Sequence, residues 1–245
     1  MPKIATLFPI NTETPQFPGK WLGSLSLIIA PLLLLTGILL RYRFNFFFPS
    51  QLKAVESNPG LMFASYSLFL AAFVLLWLGI MWMAQKIAEQ RPGLALWGGS
   101  LVIFGLFARA FHAGIDHMAF GLVHSQGADA TIKLMQATYG DYHIMSFFNL
   151  AIMVGWVVLA LGAFQARVLP WWGAIALALM TALPLGVLKG STTISVIAAA
   201  GLCVALIPLG VRTLKDEHPR LGAALRWTLL IGTVSAASYF FGIAG

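Results

Sequence analysis

What constrains this chain most is a succession of six or seven apolar runs, each about 20 residues long, with little sequence between them. A helix of that length covers about 30 Å, the thickness of a bilayer's hydrocarbon. In lipid, a spanning segment must satisfy its own backbone hydrogen bonds, which a helix does alone. The expected fold is therefore an all-α, polytopic integral-membrane bundle. Composition agrees: of 245 residues, 59% are hydrophobic and 9% charged, against roughly 25% charged in a soluble domain.

Seven spans are expected, at 21–40, 61–83, 94–123, 142–164, 170–188, 192–211 and 221–243. The breakers Pro59-Gly60, Pro92-Gly93, Gly140, Pro170, Gly190 and Pro219 fall between them. Residues 1–20 read as a cytoplasmic N-terminal segment and 21–245 as a single seven-helix transmembrane domain, with no separate soluble domain. The first 20 residues hold four prolines and two lysines and no apolar core, unlike a cleaved signal peptide, so the first span is expected to serve as its own insertion signal. Two connectors carry helical patterns: 50–57, with Ser50 as its N-cap, and 130–138.

Lys3, Lys20, Lys86, Arg91, Arg167, Arg212, Lys215, Arg220 and Arg226 would lie on one side of the membrane, and Arg41, Arg43, Lys53, Lys133 and Lys189 on the other. Nine against five places the N-terminus in the cytoplasm. The net charge of +7 is spread singly over span ends, which argues against a nucleic-acid partner. The expected partners are membrane lipids and an amphiphilic small molecule. The lone Cys203 lies mid-span and reads as a small hydrophobe. Trp77, Trp82, Trp97, Trp156, Trp171 and Trp172 read as an aromatic belt, and Pro31, Pro184 and Pro208 as kinks within spans.

Inside the third run, Arg109, His112, Asp116 and His117 occupy nine residues. Ionisable groups are costly in hydrocarbon and normally face protein or a wet cavity. At about 100° per residue, these four and His124 fall within an arc of about 140°. In the fourth span Tyr142, Ser146 and Asn149 share a stripe, with Asp141 and His143 beside its start. Arg41, Arg43, Tyr66 and Lys189 reach the same leaflet. The expectation is two polar faces looking at each other across an outward-open pocket, with Phe107, Phe111, Phe120, Phe147 and Phe148 holding an apolar tail.

Several chemistries fit this set. His112, Asp116 and His143 make a His/Asp/His group suited to zinc with an open fourth position. His112 or His117 paired with His143 could clamp haem iron, the propionates lying on Arg41, Arg43 and Lys189. Metal-free acid–base work would use Asp116, in a poorly solvated pocket beside Arg109, with Asp141 at a helix N-terminus: two carboxyls in unlike environments. The catalytic candidates are therefore His112, Asp116, His117, Asp141 and His143. The substrate-binding candidates are Arg41, Arg43, Tyr66, Arg109, Tyr142, Ser146, Asn149 and Lys189. A purely structural network is the plain alternative, with Asp116 paired to Arg109 or a neighbouring cation and the histidines donating to backbone carbonyls.

Seven spans with His/Asp content are loosely similar to the membrane-embedded zinc hydrolases that include alkaline ceramidases and progestin/adiponectin-type receptors. Those carry a late HxxxH pair in the last span; the seventh span here has no histidine, so no site is carried over. The size and acidic pocket also resemble membrane-bound terpene cyclases, without a shared motif. The expected function is a membrane enzyme, in a bacterial cytoplasmic membrane, acting on an amphiphilic lipid or isoprenoid-like substrate by acid–base or metal-assisted chemistry. A non-enzymatic immunity, sensor or transport protein and a haem-binding electron-transfer protein are the other two classes.

Overall fold

The computed structural model describes residues 17–138 and 144–215, and Thr233. Apart from Thr233, the run at 221–243 lies outside the described residues, as do Asp141, Tyr142 and His143. The described residues form helices and connecting turns, with no strand among them. In chain order they are α1 (Lys20–Leu40), α2 (Phe48–Ser57), α3 (Pro59–Ala88), α4 (Pro92–Gln126), α5 (Ala128–Thr138), α6 (Ile144–Phe147), α7 (Asn149–Gln165), α8 (Trp171–Ala178) and α9 (Thr193–Lys215). Five helical segments are long and apolar enough to cross a membrane: α1, α3, α4, α9, and α6 with α7 taken together as Ile144–Gln165. Their mean hydropathies run from 2.2 to 2.4, except for α4 at 1.7. α4, the least apolar of the five, carries Arg109, His112, Asp116 and His117.

The structure departs from the expected spans where local chemistry intervenes. α3 and α4, with 30 and 35 residues, are about 45 and 52 Å long, so their ends project beyond a ~30 Å core. α2 begins at Phe48, two residues before Ser50; Pro49 occupies its first turn and no side chain caps it, because proline is pre-set for that position. The second surface helix, α5, likewise starts two residues early, at Ala128. The fourth span is interrupted by a turn at Phe148.

The largest departure is the fifth span. α8 passes into a 3₁₀ turn, Leu179–Ala182, and helix then ends, with Leu183 extended at φ −68° and ψ 125°. Pro184 follows, and a residue before proline is pushed out of the helical region. Pro184 thus terminates the helix where a kink is expected from sequence. The helical part covers about 20 Å, too short to cross alone. Beyond it, residues 183–192 run as irregular backbone that includes Gly186 at φ 103° and Leu188 at φ 53°. A leucine in the left-handed region is strained by roughly 1 kcal/mol or more.

α1 packs between α3 and α9, and α4 between α3 and α7; α8 bridges α7 and α9. With little hydrophobic drive between helices in lipid, close backbone approach and polar glue hold such contacts. On the α1–α3 seam the Ser65 hydroxyl donates to the Gly37 carbonyl at 2.6 Å, and Ser26 Oγ accepts the Gly79 N–H at 2.9 Å. On the α4–α7 seam, backbones meet at Gly98 and Gly155. Trp156 and Trp82 join the buried core, Trp82 lying against Gly23, while Trp97, Trp171 and Trp172 are exposed. Only the latter three suit an aromatic belt.

A Cβ at Gly98 would sit 2.7 Å from Leu159 Cα and 2.8 Å from its nitrogen, whereas one at Gly114, on the same helix, meets nothing within 4 Å. Gly98→Ala is therefore expected to destabilise the solubilised protein by about 1–3 kcal/mol. Gly114→Ala is expected to stabilise it by up to ~1 kcal/mol. Thermal unfolding of the two variants beside the parent chain measures the contrast.

Candidate functional site

The irregular backbone at 183–192 creates the need that the embedded polar side chains meet. Non-helical backbone at membrane depth is tolerated only when protein satisfies it. Arg109, 5% exposed, donates from Nη1 to the Pro184 carbonyl and from Nη2 to the Leu183 carbonyl, both at 3.0 Å. Asp116 Oδ1 accepts the N–H of the strained Leu188 at 2.5 Å. The Tyr66 hydroxyl directs its hydrogen toward Gln51 Oε1 at 3.1 Å and the Lys189 carbonyl at 3.3 Å. The Gly190 N–H donates to the Phe46 carbonyl, and the space beside Gly190 is closed by Phe46 Cα and Gln51 Nε2. Gln51 in turn donates to the Asn45 carbonyl.

Arg41 completes this polar cluster from the end of α1. It is 3% exposed, its Nε donates to Ser191 Oγ at 3.2 Å, and its guanidinium carbon lies 4.4 Å from the Tyr66 ring centre and 4.3 Å from that of Phe69. The structure thus unites Arg41, Tyr66, Arg109, His112, Asp116 and Lys189 around one small cavity. Its volume is about 20 Å³, room for one water-sized occupant. No ion pair joins Asp116 to Arg109 among the described residues. Seven residues of helix separate them by about 10.5 Å along the axis, and the broken helix lies between. Arg109 and Asp116 are therefore not paired with each other: three hydrogen bonds to backbone, two from Arg109 and one to Asp116, take that place, and Asp116 interacts electrostatically with the neighbouring Arg41.

The 140° arc on α4 divides in two. Arg109, His112 and Asp116 face the small polar cavity, whereas His117 and His124 turn toward a second, much larger one. This cavity holds about 980 Å³ between the first turns of α3 and the last turns of α4, beside α2. Val55, Phe63, Ala64, Phe120 and Val123 give it apolar walls, and Glu56, Ser67, His117 and His124 supply its polar groups. A volume of that order matches ligand pockets in general.

On its wall, His117 Nδ1 lies 2.8 Å from the Ala113 carbonyl, and Nε2 lies 3.2 Å from Ser67 Oγ. A carbonyl only accepts, so Nδ1 carries the hydrogen. In the neutral ring Nε2 is then the acceptor and the Ser67 hydroxyl donates to it. The Phe63 ring stands edge-on to the imidazole at 5.2 Å, and Phe120 lies 5.9 Å away on a tilt. Glu56, from α2, accepts the Ala128 N–H at 3.0 Å and so caps α5 beside the cavity mouth.

Other expected site residues lie apart. Arg43 is exposed and donates to Asn58 Oδ1 at 3.3 Å. Ser146 and Asn149 are half-buried and line neither cavity, and Asn149 Oδ1 is buried without a partner. Phe107, Phe111 and Phe147 are exposed on the bundle's outside, Phe148 stacks on Phe104 at 5.3 Å, and of the expected aromatic wall only Phe120 lines the large cavity. His143, required by the zinc and haem sets, and Asp141 and Tyr142 lie outside the described residues. Among the described residues no group of three or more His, Cys, Asp or Glu side chains is placed to hold a metal.

Ser67, Glu56 and His124 were not singled out as site residues from sequence. Ser67 follows Tyr66 in its span, but its significance comes from a residue 50 positions away. Compared with protein-family models, curated proteins and solved structures, the chain matches none.

If Asp116 serves the Leu188 N–H, its acceptor atom matters more than its charge. Asp116→Asn is expected to keep the solubilised protein folded, with a melting temperature close to the parent's. Asp116→Leu, which strands that N–H, is expected to cost about 1–3 kcal/mol. Thermal unfolding of the pair checks this.

Proposed function

We propose that this chain is a membrane-embedded enzyme that takes an amphiphilic, ester-bearing lipid or isoprenoid-like substrate into the large cavity between α3 and α4 and cleaves or transfers its acyl group with Ser67 and His117. The observation that carries the reading is the coincidence of a ~980 Å³, largely apolar cavity with a serine–imidazole pair on its wall. A nucleophile within reach of a base, with the base oriented by a third group, is the arrangement of covalent acyl transfer. Here the third group is the Ala113 carbonyl.

In this reading the Ser67 hydroxyl passes its proton to His117 Nε2 as Oγ attacks the acyl carbonyl. The imidazolium then returns the proton to the departing alcohol, and water or a second alcohol releases the acyl group by the reverse sequence. Phe63, Phe120, Val55 and Val123 hold the chain, and His124 and Glu56 stand at the mouth for a polar head. The expected catalytic set from sequence is thereby narrowed to His117. Arg109 and Asp116 hold the broken span, with His112 beside them at the small cavity.

The same reading takes the chain as seven spans with the N-terminus in the cytoplasm of a bacterial cell, in its cytoplasmic membrane. The nine-to-five distribution of Lys and Arg supports it. The cavity then lies at the outer face, about 12 Å below the start of α3 at Ser67, where a lipid's head and first carbons reside.

The test uses the full chain in detergent or nanodiscs. A fluorophosphonate bearing an alkyl chain is expected to label Ser67, read by peptide mass spectrometry, and medium-chain nitrophenyl esters to be hydrolysed. Ser67→Ala and His117→Ala should each lower turnover by about 10²–10⁴-fold with unchanged thermal unfolding. Saturable lipid binding without label or turnover would replace the enzyme by a non-catalytic amphiphile binder. Turnover lost in His112→Ala and Asp116→Asn but kept in the Ser67 and His117 variants would move the chemistry to the small cavity.

A further inference from the structure

The small cavity carries an inference independent of the large one. Among the described residues its lining brings Arg41, Arg109 and Lys189 against a single carboxylate, Asp116. Asp116 interacts electrostatically with Arg41 but forms a close ion pair with none of the three. Both guanidiniums are more than nine-tenths buried. Each also keeps donor capacity unused: Arg41 Nη1 and Arg109 Nε are buried with no hydrogen-bond partner. An uncompensated buried cation is costly, and the cost is greatest in a membrane interior, where water does not screen it. Stacking of Arg41 between Tyr66 and Phe69 offsets part of this but leaves Nη1 without an acceptor.

Lys189 sits over the Phe46 ring at 5.5 Å and adds to the same positive field. His112, Ser195, Gly186 and Gly190 also line it, together with apolar side chains. A positive, donor-rich chamber of about 20 Å³ accepts one monatomic anion or one water. A larger oxyanion such as sulfate is a poorer match to so small a volume.

We propose that this chamber binds a single halide, chloride under physiological conditions, between Arg41 and Arg109. The ion would take the N–H groups that no protein atom accepts and would neutralise the charge that Asp116 leaves over. It would also tie the end of α1 to α4 across the broken span, because Arg41 comes from the first and Arg109 from the second, and both bond to 183–191.

The experiment is equilibrium binding of ³⁶Cl⁻ to the full chain purified in detergent and exchanged into gluconate. The expected result is one saturable site per chain, competed by bromide and not by sulfate or gluconate, with a higher melting temperature in chloride than in gluconate at equal ionic strength. Arg41→Gln is expected to weaken chloride binding about tenfold, the effect of one charge-assisted hydrogen bond. Ser67→Ala should leave it unchanged, which separates this site from the acyl-transfer reading. Should Arg41→Gln fail to fold, crystals of the parent chain grown in bromide are expected to show one anomalous peak between the two guanidiniums. The absence of saturable chloride binding, undiminished binding in a folded Arg41→Gln chain, or a bromide-grown crystal with no such peak would each overturn the proposal.

Discussion

The structure depends on one constraint: a span that stops being helical at Pro184 leaves a stretch of bare backbone inside an apolar bundle. Lipid offers no hydrogen bonds, so the bundle must supply them. Arg109, Asp116 and Tyr66 do so, each reaching a different part of 183–191 from α4 or α3. The short helix α2 closes the arrangement from outside through Gln51, with the Phe46 carbonyl just before it holding Gly190. A charged residue in a membrane helix usually invites a catalytic reading. Here two of them first answer a structural need, one as a fork of donors for two carbonyls, the other as an acceptor for a single N–H.

That commitment shapes what the remaining polar groups are free to do. α4 must turn Arg109, His112 and Asp116 toward the broken span, and helical geometry then carries His117 and His124 round by roughly 90–110° from the middle of that face. They emerge in the crevice between α3 and α4, with α2 close by. A small, charge-rich chamber and a roomy apolar one therefore sit back to back on one helix. The first is rigid by virtue of its bonds; the second has the volume and the proton-accepting ring for chemistry on something greasy.

Much of the fold was legible in the sequence. Runs of apolar residues and their Pro/Gly punctuation located the five long helices to within a few residues, because helix length and hydrophobicity are local properties that lipid enforces. The concentration of polar groups on α4 was legible too, since Arg109, His112, Asp116 and His117 stand within nine residues of its sequence. The fate of the fifth span was less so. Pro184 inside an apolar run reads equally as a kink or a stop, and the choice rests on whether neighbouring helices carry partners for the exposed backbone. Ser50 was passed over as a cap because Pro49 beside it starts the helix without one.

By itself, the sequence determined that this chain is a helical bundle for a membrane and that its unusual chemistry is concentrated on the helix running from Pro92 to Gln126, because spacing, hydropathy and charge are written along one strand of text. Which cavity each of those side chains enters was decided only by tertiary structure. Arg109 meets carbonyls 74 and 75 residues away, and His117 meets a serine 50 residues away. Such partnerships arise from how helices cross and where one of them breaks, and no periodicity within a single span encodes them.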